Sequence, residues 1–336
     1  MKALVTGGGG FLGKAIVRQL REEGHEVTVL ARGRYRDIEA LGARSVRCDL
    51  RDRIGVARAC DGHDCVFHAA ARAGVWGDYN DYHETNVDGT RHVVEACLQV
   101  GVPRLVYTST PSVVFEGRDI LGGDESLPYA SRFLNAYSQT KAAAEKLALA
   151  AASERLLVTA LRPHLIWGPG DPHLIPRVID RARTGRLVQV GNGGNQVDMT
   201  YIDDAARAHL LAAGALAPGS PLVGRAYFIS QGHPVLLWPW IDNLLRRLGI
   251  PEIKRSLPLW AARWVGAAME WAYELLNLRG EPRLTRFVAA QLGTSHYFDI
   301  GAARRDFGYE PRVTPEEGLE RVLGWLAGKP DRVGTA

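Results

Sequence analysis

The sequence predicts a doubly wound α/β fold: a parallel sheet with helices on both faces, followed by a smaller C-terminal substrate lobe. Three observations predict it. Short β-rich runs alternate with helical patterns through the first half of the chain. Those runs are continuously apolar, as strands buried on both faces must be. A glycine cluster joins the first run to the first helical pattern, where a tight strand-to-helix turn needs residues without a Cβ.

Taken in order, residues 3–6 read as the first strand. Residues 11–23 read as a helix with Leu12, Ile16 and Leu20 on one face and Gly24 as its stop signal. Residues 26–31 and 45–48 read as the second and third strands, 64–69 as the fourth, 104–109 as the fifth and 157–162 as the sixth. The segments between them are long enough for crossover helices. The second half is less regular, with Gly/Pro loops at 168–170 and 191–194 before later helical patterns.

Composition narrows the function classes. The 336 residues are 46% hydrophobic and 23% charged, close to a globular average. The net charge of +4 is small and no basic stripe interleaves with aromatics, so nucleic acid is not expected as a partner. Cys48, Cys60, Cys65 and Cys97 form no CxxC pair and read as reduced thiols of a cytoplasmic protein. The apolar run at the start is too short for a signal peptide. No stretch of about 18 apolar residues suggests a membrane span. No His/Cys/Asp cluster has metal-ligand spacing, so no metal is expected.

Thr6-Gly7-Gly8-Gly9-Gly10-Phe11-Leu12-Gly13 fits TGxxGxxG between a strand and a helix. Gly7 permits the tight turn, Gly10 lets the backbone approach a pyrophosphate, and Gly13 lets the helix pack close to the sheet. The helix N-terminus, at Phe11, Leu12 and Gly13, offers free N–H groups and a positive dipole end to the phosphates. An NAD enzyme places an acid about 20 residues further on, at the end of the second strand, for the ribose 2′-OH. Here Ala31 stands there, followed by Arg32, Arg34 and Arg36. A guanidinium suits a 2′-phosphate, which points to NADPH, with NADH possible. Asp49, with Leu50 beside it after the third strand, is expected near the adenine or as a helix cap. Residues 1–165 are accordingly assigned to dinucleotide binding, with later segments returning to that domain. Residues 166–326 form mainly the substrate lobe, and 327–336 a polar tail.

Tyr137-Ser138-Gln139-Thr140-Lys141 is YxxxK. Residues four apart share a helix face, so phenol and ammonium point the same way. A nearby cation favours the phenolate, which makes Tyr137 an acid for a carbonyl oxygen or a base in reverse. Thr110, at the end of the fifth strand, offers a hydroxyl to the same oxygen.

The TGxxGxxG start, His68-Ala69-Ala70-Ala71, Asn86-Val87-Asp88-Gly89-Thr90, Tyr107-Thr108-Ser109-Thr110 and YxxxK come in the order and spacing of the extended short-chain dehydrogenase/reductases, which the chain resembles. Residues 161–171 (LRPHLIWGPGD) and 198–204 (DMTYIDD) are similar to the 3β-hydroxysteroid dehydrogenase-like branch. The resemblance runs nearly the whole length and implies a Rossmann fold and a CH–OH oxidoreductase. It implies that Tyr137 moves the proton and that Lys141 holds the nicotinamide ribose. Thr110 stands where the family has a catalytic Ser, a departure that keeps the hydroxyl. Asn86 would be the structural Asn of the active-site network, and Ala69, Ala70, Ala71 and Pro163 would line the cofactor. Residues 73–77, 107–113 and 280–287 resemble the group that reduces long-chain 2-alkyl-3-keto acids in bacterial olefin biosynthesis. Sterol-4α-carboxylate dehydrogenation with NAD is the alternative, and a non-catalytic nucleotide sensor a minor one. Both substrate classes are lipid-like β-keto or β-hydroxy acids. Other olefin-pathway enzymes and a second copy of the chain are the expected protein partners.

Some residues carry two readings. His68, among alanines, reads as core or cofactor edge. His164 reads as packing, or as a residue facing a substrate carboxylate. Trp76, between Gly74 and Gly77, reads as a lid or a loop anchor. Segment 257–278 carries Trp260, Trp264 and Trp271 at helical spacing. It reads as a core or dimer helix, or as the wall of a long apolar channel or a membrane-touching surface.

Overall fold

The computed structural model describes residues 1–328; the expected polar tail lies, from 329 onward, outside the described residues. A seven-stranded sheet forms the centre: β1 (Lys2–Thr6), β2 (Glu26–Ala31), β3 (Arg44–Arg47), β4 (Cys65–His68), β5 (Arg104–Thr108), β6 (Leu157–Pro163) and β7 (Arg225–Ile229). Their spatial order is β7-β6-β5-β4-β1-β2-β3, and every pairing is parallel. The chain builds outward from β1 to one edge and then returns to build the other half from β4. The order therefore reverses between β1 and β4. At such a switch point, connections leave on opposite faces and a crevice opens beyond the carboxyl ends of the strands.

The six strands read from the sequence are present, with no end shifted by more than one residue. β7 was not anticipated: its run Arg225–Ile229 sits in the irregular half but pairs with β6, with Ile229 opposite Pro163. Its apolar end is buried between the sheet's helices, as expected of a strand covered on both faces.

Helix α1 (Phe11–Glu22) buries Gly13, Ala15, Ile16, Val17 and Leu20 against the sheet. It ends in a left-handed turn at Gly24 (φ +78), whose N–H donates to the Arg21 carbonyl while the His25 N–H donates to that of Leu20. Helix α2 (Ala136–Ala150) starts where the Asn135 side chain accepts from the Ser138 N–H. Four of the described cysteines are free and buried.

The second lobe borrows from the first half of the chain. Its four-stranded sheet aligns Val235–Leu236, Gln196–Val197, His296–Phe298 and Ile120–Gly123, so a segment just after β5 is stitched to the C-terminal part. Two helices complete this side, α3 (Leu259–Leu275) and α4 (Arg286–Gly293). They approach closely at Gly266, where an added Cβ would stand 2.7 Å from the Thr285 carbonyl carbon. Glu270, buried on the inner face of α3, accepts from the Arg286 backbone N–H and guanidinium.

Helix α3 departs from the core reading of segment 257–278. Trp260, Trp264 and Trp271 are 69%, 73% and 65% exposed, and only Ala262, Gly266 and Glu270 of the helix are buried. The reason is its inner face: small residues and one paired carboxylate fit against α4, and the bulky aromatics are left on the opposite side. No described helix is long and apolar enough to cross a membrane.

Gly13 fixes how closely α1 meets the turn after β1, because a Cβ there would lie 2.2 Å from the Gly7 carbonyl oxygen. Gly13→Ala is expected to cost about 1–3 kcal/mol in denaturant unfolding, the range for overpacking a tight contact. Gly214→Ala, in open space within a helix, should be neutral or stabilise by about 0.4–1 kcal/mol.

Candidate active site

The nucleotide side of the crevice is built from backbone. Gly7 (φ +69) turns the chain out of β1 and lies against the segment after β4: an added Cβ would sit 2.7 Å from the Ala70 Cα. Thr6 locks this approach, its hydroxyl oxygen accepting from the Ala70 N–H at 3.2 Å. Gly10 caps α1 without a side-chain hydrogen bond, and no acid stands in the first turn. The N–H groups at the start of α1 therefore face the crevice with no internal anion, at the positive end of the helix dipole. These features fit a dinucleotide pyrophosphate. Phe11 and Leu12 are partly exposed at this edge, and so are Ala69 and Ala70, while Ala71 is exposed; Pro163 closes β6 and is buried.

The residues expected around the adenosine diverge. Arg32 is exposed at the end of β2, beside buried Ala31, and no hydrogen bond from its guanidinium is formed among the described residues. Arg34 is committed to Glu39 through two hydrogen bonds of 2.9 and 3.2 Å. Asp49 is held by Arg51, which keeps its carboxyl below the usual range. Asp52, not Asp49, caps the following helix. Leu50 turns its side chain into the core and gives its carbonyl to His92 at 2.7 Å. Tyr35 was missed from sequence: its ring lies against Gly9, where a Cβ would come within 2.2 Å of it.

On the reacting side, α2 carries Tyr137 and Lys141 on one face. Tyr137 opens into a cavity of about 300 Å³ together with Thr110. Enclosure pushes its phenol up to about 12, partly offset by the Thr110 hydroxyl, so near neutral pH it holds its proton. Lys141 is 2% exposed. Its Nζ donates to the Tyr107 Oη and to the Thr108 carbonyl, both at 2.6 Å. Burial pulls its pKa down to about 7, and the nearby Glu145 carboxylate opposes that fall. The ammonium is thus anchored to β5 rather than to the Tyr137 phenol, so the phenol is raised by burial and not lowered by the cation as the YxxxK spacing leads one to expect. Thr110 caps the short turn Pro111–Val113, accepting from the Ser112 N–H, and pairs with the Ser112 hydroxyl at 2.9 Å.

Asn86 sits in a one-turn π-helix, Glu84–Asp88, the kind of bulge that re-aims a side chain. Its Oδ1 accepts from the Arg72 N–H at 2.8 Å, and its Nδ2 donates to the Arg72 carbonyl and the Thr140 hydroxyl. It ties the segment after β4 to α2. His68 is part of the same scaffold. Thr6 Oγ1, which accepts from the Ala70 N–H, lies 2.7 Å from His68 Nδ1. Thr90 already donates to the Asn86 carbonyl, so His68 Nε2–H donates to Thr90 at 3.0 Å. Burial pulls His68 down to about 3 and keeps the ring neutral, so with its proton on Nε2 the Nδ1 accepts from the Thr6 hydroxyl.

Glu145 was also missed. It continues the spacing of Tyr137 and Lys141 by one more helical turn and is fully buried. The Arg162 guanidinium donates to it at 2.6 and 3.0 Å, and the Tyr129 phenol at 2.7 Å. The YxxxKxxxE spacing was available as a signal. A charged residue is simply not expected in the core until its partner, distant in sequence, is known.

The cavity beyond Tyr137 is walled mainly by apolar side chains, including Leu165, Val178, Ile241, Phe287 and Phe298, with Val75 from the loop after β4. Trp260, Trp264 and Trp271 do not line it; α4, beneath α3, supplies that wall. Trp76 is half-buried and packs edge-on to Tyr273 of α3, with centroids 6.3 Å apart. His164 is buried and lines the cavity.

Comparison with known proteins matches this architecture. Residues 4–259 fit the model of the 3-beta hydroxysteroid dehydrogenase/isomerase family. The chain belongs to this family. It is an extended short-chain oxidoreductase with a nicotinamide-dinucleotide fold. It is 50% identical over 325 residues to a 2-alkyl-3-oxoalkanoate reductase of Stenotrophomonas maltophilia, covering 96% of this chain and 98% of that protein. A reductase of the same name from Shewanella oneidensis is 51% identical over 332 residues, covering 96% and 86%. The human sterol-4-alpha-carboxylate 3-dehydrogenase, decarboxylating, is 34% identical over 327 residues, covering 96% and 87%. Among solved structures, gox2253 superposes with a TM-score of 0.79 at 26% identity, covering 97% of this chain and 98% of that one. MoeE5 in complex with UDP-glucose and NAD gives 0.76 at 27%, covering 98% and 100%.

The neutral histidines of the scaffold make the fold acid-sensitive. Burial pulls His68 down to about 3 and His209, buried with its Nε2 2.9 Å from the Thr108 hydroxyl, down to about 4, below a free imidazole at 6.5. The unfolded chain binds more protons between those values, so stability is full above about 6.5 and falls as pH drops through the window. At pH 5.5 each should cost about 1.4 kcal/mol of unfolding free energy relative to pH 8. His68→Gln is expected to flatten that slope by one proton's share in urea titrations across pH; an unchanged slope would contradict a neutral His68 in the folded state.

Proposed function

We propose that this chain reduces a long-chain 2-alkyl-3-oxoalkanoate to the 2-alkyl-3-hydroxyalkanoate with NADPH, a step of olefin biosynthesis. The observation that carries this reading is the 50% and 51% identity, across 96% of the chain, to two reductases of that name. The apolar cavity beside Tyr137 supports it, since each buried methylene of an alkyl arm contributes about 0.8 kcal/mol to binding.

The reaction adds a hydride to the C3 carbon and a proton to its oxygen. The nicotinamide supplies the hydride when bound. Tyr137 supplies the proton: a phenol held near 12 keeps it until negative charge develops on the carbonyl oxygen. Thr110, beside Tyr137 in the cavity wall, donates a hydrogen bond to that oxygen and orients the ketone. Lys141, fixed by Tyr107 and Thr108 one turn along α2 from Tyr137, is the residue for the nicotinamide ribose. Asn86 positions α2 through Thr140. Gly7, Gly10, Phe11, Leu12 and Gly13 cradle the pyrophosphate. Ala69, Ala70, Ala71 and Pro163 border the crevice, and Asp49 with Leu50 borders the adenine. Arg32, uncommitted beside a neutral strand end, is the group for the 2′-phosphate.

The test is NADPH oxidation with a racemic 2-alkyl-3-keto acid, run beside a sterol 4-carboxylic acid with NAD. Turnover of the keto acid is expected, and turnover of the sterol acid alone would overturn the reading. In the same assay Tyr137→Phe should lower kcat by about 100-fold or more with cofactor binding kept, the scale of a lost general acid. Arg32→Ala should raise the KM for NADPH and leave that for NADH unchanged. Equal effects on both would remove Arg32 from the site.

A further inference from the structure

Two buried histidines, His164 and His296, meet in the wall of the cavity beside Tyr137, ring centroids 4.9 Å apart. Three contacts run through them in series. His164 Nδ1 lies 2.5 Å from the Asp198 carbonyl oxygen. His164 Nε2 lies 3.0 Å from His296 Nδ1. His296 Nε2 lies 2.9 Å from the Gln291 carbonyl oxygen. Each contact needs one proton, and the two carbonyls can only accept. Two neutral imidazoles carry one N–H each. Every neutral assignment therefore leaves one of the three contacts as two lone pairs facing each other in a dry wall, where unpaired polar atoms are costly.

We propose that the His164–His296 pair holds one extra proton, shared between the two rings, and that this fixed positive charge makes the cavity select substrates bearing a carboxylate. The selectivity half rests on the keto-acid reading above; the proton count does not. With the third proton all three contacts become hydrogen bonds, and the central N–H···N bond is charge-assisted, about twice as strong as a neutral one.

The surroundings decide whether the charge survives. Burial pulls each imidazole toward its neutral form. Against this stand both carbonyls, and the Gln291 carbonyl belongs to the last turn of α4, where the helix dipole favours a cation. Asp119, exposed and bonded to the Ser295 N–H, also favours charge on His296. The Asp198 carboxyl is held by the Ser230 hydroxyl and the Gly232 N–H, and burial pushes its pKa up. The other titratable or charged groups lining the cavity are Tyr137, His173, Arg177 and Arg181, of which Arg177 is paired with Glu281 and Arg181 donates to the Arg283 carbonyl. Phe115 and Phe298 pack edge-on to the two rings and keep water out. All four ring nitrogens are engaged, so the pair acts on a carboxylate through its charge and not by donating to it. A cation in an apolar wall interacts strongly with an entering anion and discriminates against neutral analogues.

Histidine 15N NMR on the free protein near neutral pH reads the proton count directly. The expected spectrum has His164 Nδ1 and His296 Nε2 both protonated and a third proton shared by the other two nitrogens. Two ordinary neutral rings with one N–H each would overturn the proposal. Because this measurement uses the unaltered protein, it stands even if a variant fails to fold. The second arm compares KM and kcat for the keto acid and its methyl ester in wild type and His296→Phe. The variant should raise the ratio of the acid KM to the ester KM by about tenfold or more, the pattern of lost ground-state binding of the carboxylate. Equal rises for acid and ester would overturn the selectivity role. A wild type inactive on the acid would refute the substrate reading and leave the NMR result unaffected.

Discussion

The active face of this protein depends on one buried ion pair. Glu145 and Arg162 are 0% and 4% exposed and joined by two hydrogen bonds, with the Tyr129 phenol on the same carboxylate. The pair ties α2 to β6, so the helix that carries Tyr137 and Lys141 cannot slide or turn against the sheet. Its net contribution to stability is small, because desolvating both charges offsets most of their attraction. What it contributes is register. Removing one partner leaves a charge stranded in the core, and that penalty keeps a single arrangement of α2.

The same carboxylate governs the electrostatics one turn away. Lys141 is buried deeply enough that its charge is marginal, and Glu145 opposes the loss. Tyr107 and the Thr108 carbonyl hold the ammonium to β5. The Tyr137 phenol, in contrast, is protonated by its enclosure. The phenol thus holds its proton at neutral pH, one helical turn from the anchored lysine. Across the crevice, Thr6, His68, Thr90 and Asn86 form one directed chain of hydrogen bonds from the glycine turn to α2. The glycine turn and the helix that carries Tyr137 are therefore connected through one hydrogen-bonded scaffold.

Much of this was legible in the sequence because it is local. The first strand, the glycine turn and α1 follow from adjacent residues, and YxxxK follows from helical spacing. What was not legible depends on distant partners. β7 looks like any short run until it is paired with β6. Glu145 looks like a surface residue until Arg162 is placed. The histidine pair joins residues 132 positions apart. Segment 257–278 misled for a different reason. Its tryptophans have helical spacing, which marks a face but not which side is buried. The side chosen was set by Ala262, Gly266 and Glu270, small or paired residues that let α3 lie close to α4.

The dependence of α2 on the buried pair is tested most directly by equilibrium unfolding of Glu145→Gln. The substitution keeps the shape of the side chain and removes its charge, leaving the Arg162 guanidinium buried without a counter-ion. A loss of about 3–5 kcal/mol is predicted, the cost of breaking one side of a buried pair. A loss below about 1 kcal/mol, the scale of an exposed pair, would contradict the account.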